Sequence, residues 1–147
     1  MAPTDSVSKL NQLIQGIPTA VLTTVRPNTS LHSRPMAALP IDDSGTFWFL
    51  TDSNTEKVEA VRTLQRVNLS FCDHSAARYV SVSGFCELVR NSAKAKSLWK
   101  PEYKTWLSGG LEDPDLVLMK IVVQQAEYWD ASQGRMVELN NFPNELQ

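Results

Sequence analysis

Little in this chain advertises chemistry. Among 147 residues there are 2 cysteines, 2 histidines and 6 glycines, and each shortage removes a class of function. Cys72 and Cys86 lie inside strand-like runs, without the C-x-x-C spacing of a redox motif or a zinc knuckle. Both read as buried thiols in a reducing compartment, since a free cysteine behaves as a small hydrophobe. His32 and His74 stand at no ligand spacing with each other or with a cysteine, so no metal site is expected. The sequence contains no G-x-S-x-G, H-E-x-x-H, P-loop or G-x-G-x-x-G element. A net charge of −2 gives no basic face for nucleic acid or an anionic membrane. No apolar run reaches the roughly 18 residues of a membrane helix, and the polar start at Met1–Lys9 does not read as a secretory signal. The expectation is a cytoplasmic protein with no nucleic-acid or membrane partner.

What is present is strand. At 42% hydrophobic content, residues 1–147 suffice for one domain with a real core, with 1–5 and 136–147 expected as flexible tails. Val7, Leu10, Leu13 and Ile14 recur at helical spacing, with Asp5 or Ser6 placed to cap and Gly16 and Pro18 to stop the helix. Ala20–Val25 and Leu31–Leu39 flank a Pro27-Asn28 turn and read as a hairpin. Thr46–Thr51 follows the Asp42–Gly45 turn; its apolar residues on both faces suggest a central strand, with Trp48 in the core. A helix is expected from about Ser53 to Thr55 onward, because Ser53 and Glu56 fit a capping box and Val58, Val61 and Leu64 form a stripe. Val67–Asp73 and Tyr79–Arg90 alternate as a second hairpin, with Gly84 marking a bulge or a close backbone approach. A short helix over Ser92–Trp99, a loop over Glu102–Pro114 and a long strand over Leu116–Trp129 complete the chain. Six strands and short helices with brief turns predict a mostly β, α+β antiparallel barrel.

One junction carries chemical information. Between Leu50 and Lys57 a strand end runs through hydroxyl and amide residues into a helix start, the outline of an anion site. Free backbone N–H groups and the helix dipole favour a phosphate there, with the Thr55 hydroxyl and the Lys57 charge adding to them. The dipole alone contributes about 0.3–1 kcal/mol, so a second cation is needed, and Arg34 is the candidate. Pro35 follows it and removes a ladder donor, which places this stretch at an edge or a bulge, where backbone can face a flat ligand. On these residues alone, an exposed Lys57 and a surface ion pair at Arg34 explain the pattern equally well. Trp129, beside Tyr128 and Asp130, borders a ligand or simply packs.

Taken in order, Leu31-His32-Ser33-Arg34-Pro35-Met36, Phe47–Asp52 with Lys57, Tyr79–Gly84, Leu98-Trp99-Lys100-Pro101 and Ala126–Asp130 resemble one family. It is the general stress protein branch of the FMN-binding split barrels, in the pyridoxamine 5'-phosphate oxidase-like superfamily. The resemblance implies a six-stranded antiparallel Greek-key split barrel that forms a homodimer and holds a flavin in each cleft between the subunits. It casts Arg34, Thr55 and Lys57 as ligands of the FMN phosphate. Arg34, Pro35, Met36, Leu50 and Thr51 become the bed of the isoalloxazine and ribityl chain. Trp129 and the Tyr79–Ser83 strand would border the flavin held by the other subunit, and FAD is an alternative to FMN. The pyridoxamine phosphate oxidases proper close their site with a C-terminal arginine and histidine cluster. After Trp129 this chain has only Arg135 and no histidine, and Glu56 stands where a second cation is expected, so vitamin oxidation is not implied.

Three functions follow from different classes. The first is a flavin-dependent oxidoreductase with an unidentified small-molecule redox partner, for which Ser33, Thr51, Tyr79 and Tyr128 are the available proton donors. The second is a non-catalytic FMN or FAD carrier or stress sensor. The third is a barrel that has lost its ligand and serves as an interaction module.

Overall fold

The computed structural model describes residues 4–54 and 65–143. Helix α1, Asp5–Ile14, presents Val7, Leu10 and Ile14 to the core, each burial stabilising by about 1.5–3 kcal/mol before entropy is counted. Its cap is Thr4, whose Oγ1 accepts from Val7 N at 3.2 Å, and not Asp5 or Ser6. Asp5 lies within the first turn, while the Ser6 hydroxyl donates to the carbonyl of Asn140. Gly16, at φ +80°, leads the chain out of the helix in a left-handed conformation that suits glycine.

The strands are β1 (Thr19–Val25), β2 (Leu31–Ala37), β3 (Thr46–Asp52), β4 (Arg66–Asp73), β5 (Arg78–Val89), β6 (Leu116–Asp130) and β7 (Arg135–Leu139). They form one antiparallel sheet in the order β2-β1-β4-β5-β6-β3, with β7 also on β6. The sheet is not closed, as a split barrel requires: β2 and β3 stand at the two ends of this order. A short helix, α2 (Ser92–Leu98), follows β5, and 3₁₀ turns occupy Pro101–Thr105 and Gly110–Glu112. Gly84 marks the expected irregularity. The β5/β6 register shifts between Ser83 and Gly84, and a Cβ on Gly84 would be driven into the carbonyl oxygen of Val122.

Several expectations need correction. Strand β3 is terminal in the pairing order, not central, and its two covered faces have separate causes. Phe47 and Phe49 enter the main core with Phe71, while Leu50 joins a second cluster with Ala95, Tyr103, Leu107 and Leu118. Trp48 is only half-buried, beside that second cluster, with the ammonium groups of Lys94 and Lys120 over its ring. Cys72 is exposed and only Cys86 is buried, because Cys72 shares the outward face of β4 with Ser70. The tail is ordered through much of its length. β3 pairs with β6 over Leu116–Val122, and β7 takes Ala126–Asp130, so a strand this long has room for both. Phe142 then packs in the main core. The helix expected from Ser53–Thr55, with Val58, Val61 and Leu64, lies outside the described residues apart from Ser53 and Asn54, which form a turn. Among the described residues no helix is long and apolar enough to cross a membrane.

Candidate functional site

The two ends of the sheet face a common cavity of about 720 Å³, within the range of small-molecule and cofactor sites. Strand β2 contributes Arg34, Pro35, Met36 and Ala37; strand β3 contributes Phe49, Leu50, Thr51 and Asp52. Pro18, Thr19 and Leu39 form one further wall, and Tyr103, Trp106 and Leu107 another. The position follows from local sequence. β2 is an edge strand in which Pro35 offers no N–H, so no further strand covers it, and β3 brings Thr51 and Asp52 to the cavity from the opposite end of the pairing order.

The polar groups are few. Arg34 Nη2 donates to Thr24 Oγ1 at 3.0 Å, and the same nitrogen contacts His32 Nδ1, which must accept because a guanidinium has no acceptor. Thr24 is buried, so the guanidinium is aimed by a fixed side chain on the neighbouring strand. Thr51 is 1% exposed, and its hydroxyl has no hydrogen-bond partner among the described residues. A buried hydroxyl left in this state costs about 1–3 kcal/mol, and a ligand acceptor or donor in the cavity would remove that cost.

Beyond Thr51 the turn is pinned. Asp52 Oδ1 accepts from Asn54 N at 2.8 Å, Ser53 N donates to the Asp115 carbonyl at 2.7 Å, and Asn54 Nδ2 donates to Asp115 Oδ2 at 2.8 Å. These bonds tie the exit of β3 to the loop before β6. Thr55 and Lys57, the expected phosphate ligands, lie outside the described residues.

Of the expected site residues, the structure brings Arg34, Pro35, Met36, Leu50 and Thr51 together around one cavity. It sets Trp129 apart. The ring is 37% exposed and sits on β6 opposite Met136 of β7, whereas β3 residues at the cavity pair with the start of β6, from Leu116 to Met119. Trp129 lies ten positions beyond Met119, roughly 33 Å of extended strand along the chain. Tyr79 is likewise absent from the cavity wall, where Tyr103 is present. Burial raises the Tyr103 phenol above its ordinary pKa, with the Glu102 charge adding to the effect.

Sequence reasoning missed Tyr103, Trp106 and Leu107. They belong to a 3₁₀ turn and its exit, held by Trp106 N and Leu107 N donating to the Tyr103 carbonyl at 3.2 and 2.8 Å. The available signal was two aromatics three apart directly after Pro101, a spacing that stacks side chains on a 3₁₀ turn. A second cavity of about 560 Å³ adjoins the first across Pro18 and Leu39, between the end of α1 and Phe71. Among the described residues no group of His, Cys, Asp and Glu is placed to hold a metal.

Comparison with known proteins agrees with this architecture. The family model described as pyridoxamine 5'-phosphate oxidase like matches residues 5–143. The solved structure of the General Stress Protein 26 from Bacillus anthracis str. Sterne is similar at a TM-score of 0.76 and 26% identity, covering 92% of this chain and 100% of that one. A Clostridium acetobutylicum protein related to general stress protein 26 of B. subtilis, in the pyridoxinephosphate oxidase family, shares the fold. It has a TM-score of 0.77 and 19% identity over 93% and 96% of the two chains. Protein bli-3 of Neurospora crassa is 29% identical over 108 residues, 67% of this chain and 51% of that protein. The chain therefore spans about half the length of this curated relative.

Proposed function

Because this chain belongs to the pyridoxamine 5'-phosphate oxidase-like family, we propose that its cavity binds the flavin FMN and that the protein is a flavin-dependent oxidoreductase. One observation carries the reading: the half-buried Arg34 guanidinium and the buried, unsatisfied Thr51 hydroxyl line one largely apolar cavity between the two ends of the open sheet. The residues fit the group. Pro35, Met36 and Leu50 offer an apolar bed for a flat ring, Thr51 offers a hydrogen bond to its polar edge or the ribityl chain, and Arg34 offers a fixed cation. Thr55 and Lys57 would add phosphate ligands from the segment that follows Asn54.

When bound, the flavin supplies hydride or electron transfer, and the protein's part is to bind it, orient it and limit water around it. Arg34 is aimed by Thr24 and His32, so its charge is preorganised. The described residues of the cavity wall offer three hydroxyls for proton movement, those of Thr19, Thr51 and Tyr103. Trp129 lies far along β6 from this cavity, so its role at a flavin requires a second copy of the chain, in a homodimer with the cofactor between subunits. FAD is the alternative cofactor, and the physiological reductant and acceptor are small molecules still to be found.

Titration of the flavin-free protein with FMN, followed by quenching of flavin fluorescence, tests the reading. Saturable binding that Lys57→Ala or Arg34→Ala weakens about tenfold, or roughly 1.4 kcal/mol, is expected; absence of binding would overturn it. Anaerobic reduction of the bound flavin by NADH or NADPH then separates an enzyme from a non-catalytic carrier or stress sensor, in which the flavin would stay oxidised.

A further inference from the structure

The turn at 101–107 presents two rings, Tyr103 and Trp106, to the cavity, with Trp99 packed against the first. Trp99 meets Tyr103 edge to face, with centroids 5.9 Å apart and planes at 89°, and Tyr103 meets Trp106 at 5.4 Å and 45°. Tyr103 and Leu107 are buried, and the Tyr103 carbonyl accepts the backbone N–H groups of both Trp106 and Leu107. Trp106 closes the row. It lines the cavity but remains 56% exposed. The indole is braced at a tilt by a buried ring and so is held in place before a ligand arrives. A flat molecule laid on its free surface removes apolar area from water without the cost of ordering a loop.

The chemistry of this wall also selects. Its three cavity-lining residues, Tyr103, Trp106 and Leu107, carry no formal charge, whereas the cation Arg34 stands on β2, a different wall. Among the described residues these three offer an anionic ligand no cation. The Tyr103 hydroxyl has no hydrogen-bond partner among the described residues, and burial keeps it protonated to higher pH than an exposed phenol. It is therefore available as a donor to a carbonyl oxygen.

We propose that Trp106 and Tyr103 form a second subsite of the cavity, which takes a flat, uncharged, carbonyl-bearing ring compound of the quinone type beside the cofactor. Trp106 stacks on the ring and Tyr103 donates to its carbonyl. This rests on the flavin reading only for the identity of the neighbouring ligand.

Menadione is a suitable probe, titrated calorimetrically into FMN-loaded wild type, Trp106→Ala and Trp106→Phe, with thermal unfolding of each as the folding control. Trp106→Ala should weaken menadione about tenfold, Trp106→Phe about threefold or less, and FMN affinity should stay within about twofold. Tyr103→Phe should weaken menadione several-fold but leave 2-methylnaphthalene, which has no carbonyl, unaffected. Menadione binding indifferent to Trp106→Ala overturns the proposal, and an equal loss of both probes in Tyr103→Phe overturns the carbonyl-bearing class. A tenfold loss of FMN itself in Trp106→Ala would place Trp106 in the flavin bed, overturning the subsite while sparing the flavin reading. If wild type binds no FMN, the flavin reading fails, and menadione added to flavin-free protein decides the subsite alone. Saturable binding lost in Trp106→Ala upholds it, and no binding overturns it.

Discussion

The indole Nε1 of Trp48 donates to Oδ2 of Asp42 at 3.0 Å, while the other carboxylate oxygen of Asp42 accepts from Ser44 N, Ser44 Oγ and Thr46 N. One carboxylate thus closes the turn into β3 and fixes the first ring of the second cluster. Burial pushes the Asp42 pKa up, but the bonds from Ser44, Trp48 and Thr46 outweigh it and hold the group below its ordinary 3.8. A depressed folded value means that the contribution is present above about pH 4 and is lost as pH falls through the folded value. Asp42→Ala should cost about 1–2 kcal/mol in urea unfolding at pH 7, and less at pH 3. A difference independent of pH would contradict this account.

Thr51→Val should separate folding from binding. Removing a buried hydroxyl that has no partner among the described residues, in favour of a methyl of similar size, should leave the flavin-free protein as stable or raise it by about 1–2 kcal/mol. FMN affinity should fall about two- to tenfold. A variant that loses stability and keeps full affinity would show that Thr51 is satisfied structurally and is not a ligand group.

At Arg34, lysine should not substitute. A guanidinium is planar with five donors, whereas an ammonium is a compact charge that cannot hold the same geometry between Thr24, His32 and a ligand. FMN titration should place Arg34→Lys between wild type and Arg34→Ala, and equality with wild type would reduce the role of Arg34 to charge alone.

Gly84→Ala should be among the most damaging small changes on β5. The added methyl meets the backbone of Val122 and has no flexible neighbour to displace, so a loss of about 1–3 kcal/mol or more is expected in denaturant unfolding. Gly16→Ala meets nothing within 4 Å and acts only through its positive φ, so it should cost less.

Thiol titration should divide the two cysteines. Cys72 is exposed, while burial, with the charge of Glu87 adding to it, pushes Cys86 up to about 12. A disulfide reagent at pH 8 should label one thiol rapidly in the native protein and both in denaturant. Two fast thiols in the native state would mean that β5 opens readily.

Much of this was legible locally. The alternation of Val67, Leu69 and Phe71 against Asn68, Ser70 and Cys72 gives β4 its inward and outward faces, and followed strictly it already places Cys72 outside. Arg34-Pro35 was likewise readable as an edge or bulge, of which the structure has the edge, and the end of β3 as a polar strand exit. The order of strands was not, because the place of β3 beside β6 depends on pairing between Phe47 and Ile121, far apart in sequence. Nor was β7, whose five residues alternate too weakly to signal a strand and are held by an edge that β6 supplies. The wall of Tyr103 and Trp106 escaped because a 3₁₀ turn is too short to show a period.

Pro35 has a consequence beyond the cavity it lines. An open sheet presents its outermost strand as a template on which another chain can zip, and β2 occupies that position here. A residue without an amide hydrogen interrupts the row of donors such zipping needs. The same imino acid that lines one rim of the cavity would therefore oppose edgewise polymerisation of this protein.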